Sequence, residues 1–318
     1  MKRFVIVIII VLAVCALWAG VWLFVASQID TELAALESND GVMAPRLECE
    51  TRAVRGFPFQ FAPRCEGARI TSGDITLAVN SIYGTALIYR PTHMQLFAEG
   101  PAEISDAFTG SRQQLDWESL RASLRLSGST IERFSVVGEE LVWSDLLFGD
   151  TVLGAVEGAE IHLVEGGEGE AAGSVLDLFV RLEGAGMGGL QIANGQATLD
   201  GQLTAVPEMA LWGDPRMAAL WQANGGVLTV RALDAVAEGL SLSASGEMAL
   251  DDNGLLMGSA EVQSQGVVER FGDFSDDPMA AMLLGRPDDE GVYSQTLSAR
   301  GGQIFIGLLP MATVPPVF

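Results

Sequence analysis

The chain opens with a long apolar run whose two flanks carry opposite charge. Residues 4–26 contain no charged side chain, Lys2 and Arg3 precede them, and acidic residues follow from Asp30 onward. As a helix with a rise of 1.5 Å per residue, this run would span about 34 Å, more than the roughly 30 Å of a bilayer's hydrocarbon core. Because basic flanks stay in the cytoplasm, the pattern predicts a cytoplasmic N-terminus and an exported remainder.

A cleaved signal peptide is the alternative interpretation of the same run. Signal peptides have a shorter apolar core, of about 7–15 residues. We therefore expect an uncleaved anchor within residues 1–28, with Trp18 and Trp22 near its outer end, where indole rings favour the membrane interface. A helical extension and a turn-rich linker are expected over 29–45.

From residue 46 onward, polar and apolar positions alternate in short segments. In residues 196–204, Ala197, Leu199 and Leu203 fall on one side and polar residues on the other, and a period of two predicts a strand with one buried face. Similar segments predict further strands over 75–79, 92–97, 120–126, 133–137, 140–143, 159–164, 176–182, 227–232, 240–250, 255–263, 293–300 and 303–308. Residues 46–318 are therefore predicted to form a mainly β domain.

A few short stretches depart from the β pattern. Asp214 is expected to begin a short helix as its N-cap, with Pro215 in the first turn. Residues 267–274 and 278–284 also predict short helices. We take 207–226, where the pattern changes, as a sub-boundary of the β domain.

The predicted fold is a long, curved antiparallel sheet with a few short helices, preceded by one N-terminal transmembrane helix. An open sheet has to cover its apolar face with helices, with a second sheet or with a ligand. Since few helices are predicted, the sheet either folds over as a sandwich or stays open as a trough that holds an apolar ligand. The proline-broken end, residues 309–318, is expected to pack as a tail.

Composition and charge exclude several classes of protein. Hydrophobic residues make up 49% of the 318 residues, which argues against a disordered chain. The formal net charge is −23, from 18 basic and 41 acidic residues. A nucleic-acid partner is excluded because phosphate binding needs clustered positive charge. The same negative charge makes the exported surface repel anionic lipid head groups.

Two of the three cysteines lie in the exported part. Cys49 and Cys65 are expected to form a disulfide in an oxidising compartment, and a loop of that size stabilises the fold by about 3 kcal/mol in the chain-entropy model. A redox-active pair is the alternative, although neither cysteine has a CxxC partner. Cys15 lies within the apolar run, where we expect a plain thiol.

The sequence contains no constellation of residues typical of an enzyme. It has no GxSxG, P-loop, HExxH or SxxK motif, and no His and Cys spacing that suits zinc. A Ser-His-Asp triad would have to use His93 or His162, and both fall at positions expected of exposed strand histidines. We therefore expect no catalytic residue, no metal and no cofactor, and keep a hydrolase with an unrecognised site as an alternative.

An aromatic segment lies between the two exported cysteines. Pro58 restricts Phe57 to an extended conformation, so Phe57, Phe59 and Phe61 are expected to alternate onto one face of a strand. Two interpretations stay open. These side chains form an edge of the core, or they form the mouth of an apolar groove for a lipid.

The same segment resembles part of a known family. Cys49, the RGFPFQF run of residues 55–61 and Cys65, together with the RGGQIFIGLLP run of 300–310, resemble a family of bacterial envelope proteins known as domain of unknown function 2125. The resemblance implies a Gram-negative inner-membrane anchor with a periplasmic domain, and it implies no activity and no site residues. The hairpin over 244–262 also resembles repeats in AsmA-like envelope proteins, which are membrane-anchored β structures linked to outer-membrane lipid homeostasis.

Together these features predict a non-enzymatic protein of the inner membrane, anchored through residues 4–26, with the bulk of the chain in the periplasm. We expect it to bind a lipid or another apolar ligand, or to assist envelope assembly together with an envelope protein. The alternative is a structural module that docks onto an envelope complex through the edges of its sheet.

Overall fold

The computed structural model describes all residues except 1, 43, 148, 150, 168–172, 213, 215, 268, 269, 271–285 and 308. Three predictions are affected. The helix expected over 278–284, most of the one expected over 267–274, and the helical position of Pro215 lie outside the described residues.

The described part of the chain is mainly β and forms a 17-stranded sheet. Strands with a described register pair antiparallel throughout. The strands are β1 (Arg46–Glu48), β2 (Thr51–Arg55), β3 (Gln60–Ser72), β4 (Ile75–Leu87), β5 (Arg90–Asp106), β6 (Arg112–Asp116), β7 (Ser119–Ser127), β8 (Thr130–Asp145), β9 (Thr151–Glu165), β10 (Ser174–Met187), β11 (Ile192–Val206), β12 (Val227–Ala237), β13 (Leu240–Leu250), β14 (Leu256–Gln265), β15 (Val292–Arg300), β16 (Gln303–Ile306) and β17 (Leu309–Thr313). This confirms the predicted fold class, a long antiparallel sheet that follows one apolar helix.

Several strands are longer than the alternating segments predicted. The segments over 133–137 and 140–143 belong to the single strand β8, in which Gly138 stays paired with Ala159 of β9. The break between these two alternating segments marks a local irregularity of the backbone instead of a turn, because Glu140 has a positive φ of 52°. A glycine inside a paired strand is thus a poor guide to where that strand ends.

Five strands were absent from the predicted set, namely β1, β2, β3, β6 and β17. The last of these lies within the segment that was expected to pack as a tail. Leu309–Thr313 pairs with β16, and Pro310 lies opposite Phe305 in that pairing. Beyond β17, the chain end packs back onto the fold, since the backbone N–H of Val317 donates to the carbonyl of Gly254 at 2.9 Å.

Helix α1 (Lys2–Glu37) precedes the sheet and confirms both the apolar helix and its helical extension. Within the described residues it is the one helix long and apolar enough to cross a membrane. Its apolar side chains are exposed along most of its length, as at Phe4, Leu17 and Phe24. Side chains of this kind are stable when they face lipid.

The chain divides into two compact units. The first unit comprises Met1–Leu115 and Leu120–Arg125, and the second comprises Asp116–Ser119 and Leu126–Phe318. The additional sub-boundary expected over 207–226 stays a prediction.

Helix α2 (Met217–Ala223) lies in the second unit, close to the predicted helix position. Its N-cap position is held by Arg216, so the prediction of Asp214 as the N-cap is wrong. The Asp214 carboxylate instead accepts the backbone N–H of Arg216 at 2.8 Å. Such an Asx turn satisfies the carboxylate before the helix begins.

The second unit has the predicted one-sided distribution of apolar residues. Leu199 of β11 pairs with Val180 of β10 and with Leu233 of β12, whereas Gln202 pairs with Asp177. Directly paired residues project to the same side of a sheet, so the leucines and valines collect on one side. We call this side the aliphatic face. Strand β14 follows the same rule, because its residues alternate between half-buried and exposed along its whole length.

Candidate functional site

A cavity of about 600 Å³ lies on the aliphatic face of the second unit. Its size falls within the roughly 300–1,000 Å³ of typical small-molecule sites. The lining residues, which are almost all apolar, are Leu163, Leu176, Leu203, Val206, Pro207, Trp212, Asp214, Met217, Ala218, Trp221, Leu228, Met248, Ala249, Leu250, Leu256 and Val317.

The floor of the cavity is a row of side chains from adjacent strands. Leu203 of β11 pairs with Leu176 of β10 on one side and with Leu228 of β12 on the other, and Leu228 in turn pairs with Met248 of β13. Because the four residues are in direct register, their side chains lie next to one another across the sheet. The floor is therefore continuous and apolar.

The roof of the cavity comes from the segment between β11 and β12. This segment contains a short 3-10 helix (Met209–Leu211) and α2, and it places Trp212 and Trp221 over the floor. The Trp221 indole N–H donates to the carbonyl of Thr204 at 2.8 Å, and that of Trp212 to Pro207 at 3.2 Å. With their polar atoms bonded to backbone, both rings can present apolar surface to the cavity.

Gly226 makes room for the second of these rings. A Cβ atom added at this position would lie 2.2 Å from Nε1 of Trp221, which is well inside van der Waals contact. Trp221 can therefore keep its hydrogen bond to Thr204 only if residue 226 has no side chain.

Asp214 is the single ionisable residue among those that line the cavity. Its carboxylate accepts hydrogen bonds from the Arg216 side chain, at 3.0 Å from Nε and 2.8 Å from Nη2. These side-chain bonds, together with the Arg216 backbone N–H, lower the pKa of Asp214 to about 2. The carboxylate is thus ionised and already paired with an arginine, which leaves the rest of the lining to contact an apolar ligand.

The aromatic residues chosen from the sequence lie elsewhere, in the first unit. Phe57 and Phe59 belong to the turn between β2 and β3, and of the three only Phe61 lies in a strand. The prediction that all three alternate along one strand is therefore wrong, because the chain reverses direction at Pro58. Their role as the mouth of a groove stays a prediction.

The aromatic turn packs against α1. The Trp22 ring lies edge-on to Phe57, with centroids 5.6 Å apart, and stacked on Phe61 at 5.5 Å. Trp22 is only 6% exposed, whereas Phe59 is 67% exposed. Two of the three phenylalanines thus hold the helix to the first unit, and the third faces outward.

The disulfide between Cys49 and Cys65 is present, as predicted, with Cα atoms 5.3 Å apart. It ties the connection between β1 and β2 to β3. Next to it, Arg52 pairs with Cys65 across the strands and forms ion pairs with Asp30, at 2.8 Å, and with Glu37 of α1. The hydrogen bond to Asp30 raises the pKa of Arg52. The disulfide therefore supports β2, the strand that holds the C-terminal end of α1. The third cysteine, Cys15, is a free, exposed thiol.

Both histidines contact a serine on a neighbouring strand. His93 Nε2 lies 3.2 Å from Ser123 Oγ. His162 Nδ1 lies 2.9 Å from Ser135 Oγ, and its Nε2 lies 3.2 Å from the Glu160 carboxylate. The sequence gives no hint of the second contact, because Ser135 and His162 are 27 residues apart.

The serine, histidine and glutamate around His162 have the connectivity of a catalytic triad but lie on paired strands. Their residues are part of the regular β8–β9 ladder, where Ser135 is directly opposite His162. The ring also stacks on Phe179 of β10, with centroids 6.2 Å apart. We interpret this group as a polar cross-strand cluster, and the hydrolase alternative stays a prediction. Among the described residues, no group of three or more His, Cys, Asp or Glu residues is placed to hold a metal ion.

Fold and cavity define a mainly β protein that combines an N-terminal helix of membrane-spanning length with an apolar cavity of ligand size. A profile of uncharacterised proteins conserved in bacteria, domain of unknown function 2125, matches residues 22–315, and the chain belongs to this family. No curated protein and no solved structure matches the chain. The predicted family is confirmed, and the similarity to AsmA-like proteins stays a prediction.

Proposed function

We propose that this protein is a non-enzymatic lipid-binding protein of the bacterial envelope. In this proposal α1 crosses the inner membrane with its N-terminus in the cytoplasm, and the sheet lies in the periplasm. The cavity on the aliphatic face is the observation that carries the proposal. The ligand is a lipid, or another molecule with a long apolar part, and binding it serves transport or assembly in the envelope.

The chemistry of the lining supports an apolar ligand. A polar molecule would lose its hydrogen bonds to water in a cavity lined by leucine, methionine and tryptophan, and would find almost no partners in return. An alkyl chain instead gains about 25 cal/mol for each Å² of apolar surface that leaves water. The floor of the cavity gains in the same way, because the bound alkyl chain covers Leu203, Leu228 and Met248.

The proposed compartment follows from two features of the first unit. The disulfide between Cys49 and Cys65 favours an oxidising compartment, such as the periplasm. The charge of Arg3 before the apolar run, with Asp30 after it, favours a cytoplasmic N-terminus. Both features support the proposal that the strands lie in the periplasm.

Photocrosslinking in living cells tests the proposal with the full chain. A benzophenone amino acid is introduced at Leu256, which lines the cavity, in a bacterial host whose lipids are labelled with radioactive acetate. Irradiation is expected to attach labelled lipid to the protein. Met257 provides the matched control, because it is the next residue of β14 and is 44% exposed on the opposite side.

Equal labelling at the two positions, or none at Leu256, would contradict lipid binding in the cavity. A protein adduct formed at Met257 without lipid at Leu256 would favour the alternative of a module that docks onto an envelope complex.

A further inference from the structure

The first unit carries an exposed apolar surface formed by two neighbouring turns. The β2–β3 turn contributes Phe57 and Phe59, which are 54% and 67% exposed. The β4–β5 hairpin contributes Leu87, the last residue of β4, at 37%, and Tyr89 in its turn, at 71%. The two turns are joined because the backbone N–H of Ile88 donates to the carbonyl of Phe59 at 3.1 Å. We call these four exposed side chains the aromatic lip.

The aromatic lip is attached to α1 at a defined height. The Trp18 indole N–H donates to the carbonyl of Pro58 and the Trp22 indole N–H to that of Gln60, each at 3.0 Å. Both tryptophans belong to the uncharged run that begins at Phe4. The height of the lip can therefore be compared with the thickness of a bilayer.

The comparison places the lip within the membrane. Moving the charged side chain of Arg3 into the hydrocarbon core is costly. Its neighbour Phe4 therefore stays near one edge of the core. Counted from Phe4 at 1.5 Å per residue, Trp18 lies about 21 Å and Trp22 about 27 Å along the helix, inside the roughly 30 Å of hydrocarbon. The β2–β3 turn is thus held at the depth of one leaflet, the one on the same side of the bilayer as the strands.

The backbone of the β2–β3 turn is suited to that environment. Hydrocarbon offers no water to satisfy exposed backbone groups. In this turn the carbonyls of Pro58 and Gln60 accept indole N–H groups. The carbonyl of Phe59 accepts the N–H of Ile88, and the carbonyl of Gly56 accepts the N–H of Gln60 at 3.1 Å. Pro58 itself has no N–H to satisfy.

The charge pattern around the lip also suits a membrane. Residues 56–61 contain no charged side chain, although the whole chain carries −23. The charged residues that flank the two turns are Arg55 and Arg90, both exposed. Arginines at this level can meet lipid phosphates.

From these observations we infer that the aromatic lip inserts into the membrane leaflet beside α1. The first unit then contacts the bilayer through both its helix and its two turns. This inference rests on α1 crossing the membrane, but it does not depend on what the cavity of the second unit binds. The bilayer is the occupant that fits, because the lip continues the lipid-facing surface of α1.

Depth-dependent quenching tests the inference on the full chain. Cys15 is replaced by serine, while Cys49 and Cys65 stay oxidised and do not react with the label. A single cysteine is then introduced as Phe59→Cys or Tyr89→Cys and is labelled with an environment-sensitive fluorophore. The protein is reconstituted into vesicles of phosphatidylcholine with a minor share of phosphatidylglycerol. Nitroxide groups at shallow or deep acyl positions of labelled phosphatidylcholine serve as quenchers.

Two further label positions serve as controls. Phe108→Cys is the matched negative control, since Phe108 is also an exposed phenylalanine in a turn, at 86%. It lies beyond the opposite end of β5, about 50 Å from the lip for a strand of this length. Val11→Cys reports whether α1 spans the bilayer.

We expect labels at positions 59 and 89 to be quenched severalfold more by shallow nitroxides than the label at position 108, with blue-shifted emission. If position 11 is quenched but positions 59 and 89 behave like 108, the lip does not insert and the anchor is retained. If position 11 is also unquenched, both the lip and the proposed anchor are wrong.

Discussion

Trp22 donates its indole N–H to the backbone carbonyl of Gln60, 38 residues further along the chain, at 3.0 Å. The bond connects the middle of an apolar helix to the start of β3. A helix that served only as a tether would need no such contact. The bond, together with the stacking of Trp22 on Phe61, makes the helix an integral part of the first unit.

The first prediction concerns this contact. Replacement of Trp22 by alanine removes a buried ring and one hydrogen bond, and is expected to destabilise the first unit by about 3–5 kcal/mol, as for other large-to-small core changes. Urea denaturation of the full chain in detergent, followed by pulse proteolysis, measures the loss. Phe24→Ala is the control, because Phe24 lies on the same helix and is 65% exposed. Similar losses in the two variants would contradict the role assigned to Trp22.

The second prediction concerns the disulfide. Replacing Cys49 and Cys65 together by alanine is expected to cost about 3 kcal/mol, because the unfolded chain regains the entropy of an open loop. The same denaturation assay measures this difference, which should disappear when both proteins are compared under reducing conditions. Cys15→Ala, which removes an exposed free thiol, should leave the denaturation midpoint unchanged.

The third prediction concerns the roof of the cavity. Gly226→Ala places a Cβ atom 2.2 Å from Nε1 of Trp221, so the ring has to move and its bond to Thr204 is lost. We expect a destabilisation of about 1–3 kcal/mol, typical of overpacking, and weaker lipid crosslinking at Leu256. The control is Gly189→Ala, where an added Cβ meets nothing within 4 Å. Unchanged crosslinking in Gly226→Ala would show that Trp221 does not shape the site.

The fourth prediction concerns pH. Arg216 holds the pKa of Asp214 down to about 2 in the folded protein, below the usual value of about 3.9 for an unfolded aspartate. A lowered folded-state pKa contributes stability that is present above the unfolded pKa and is lost as the pH falls through the folded one. The wild type should therefore exceed Asp214→Asn in stability at pH 5, and this difference should vanish between pH 4 and pH 2.

Denaturation midpoints at successive pH values measure that difference. Asp289→Asn, which removes a carboxylate at an exposed turn position, is the comparison. A difference between wild type and Asp214→Asn that persists below pH 2 would mean that the pair with Arg216 does not stabilise the fold.

Local patterns in the sequence were enough to predict the apolar helix and the strands with clear alternation. Residues 240–250 are an example, since the predicted strand coincides with β13. A period of two is a property of neighbouring residues, and it reports burial of one face without any knowledge of the partner strand. The disulfide was equally accessible, because only two cysteines follow the apolar run.

The turn at Pro58, the roof of the cavity and the contact of His162 with Ser135 were decided by tertiary structure alone. Each depends on which distant segments lie side by side: Trp22 reaches Gln60 only because β2 and β3 pack on α1, and Trp221 reaches Thr204 only because α2 folds back over β11. Alternation determines which residues turn toward an apolar face. Strand register and the path of the loops determine whether that face is filled by the chain or left as a cavity, and neither is encoded in a local pattern.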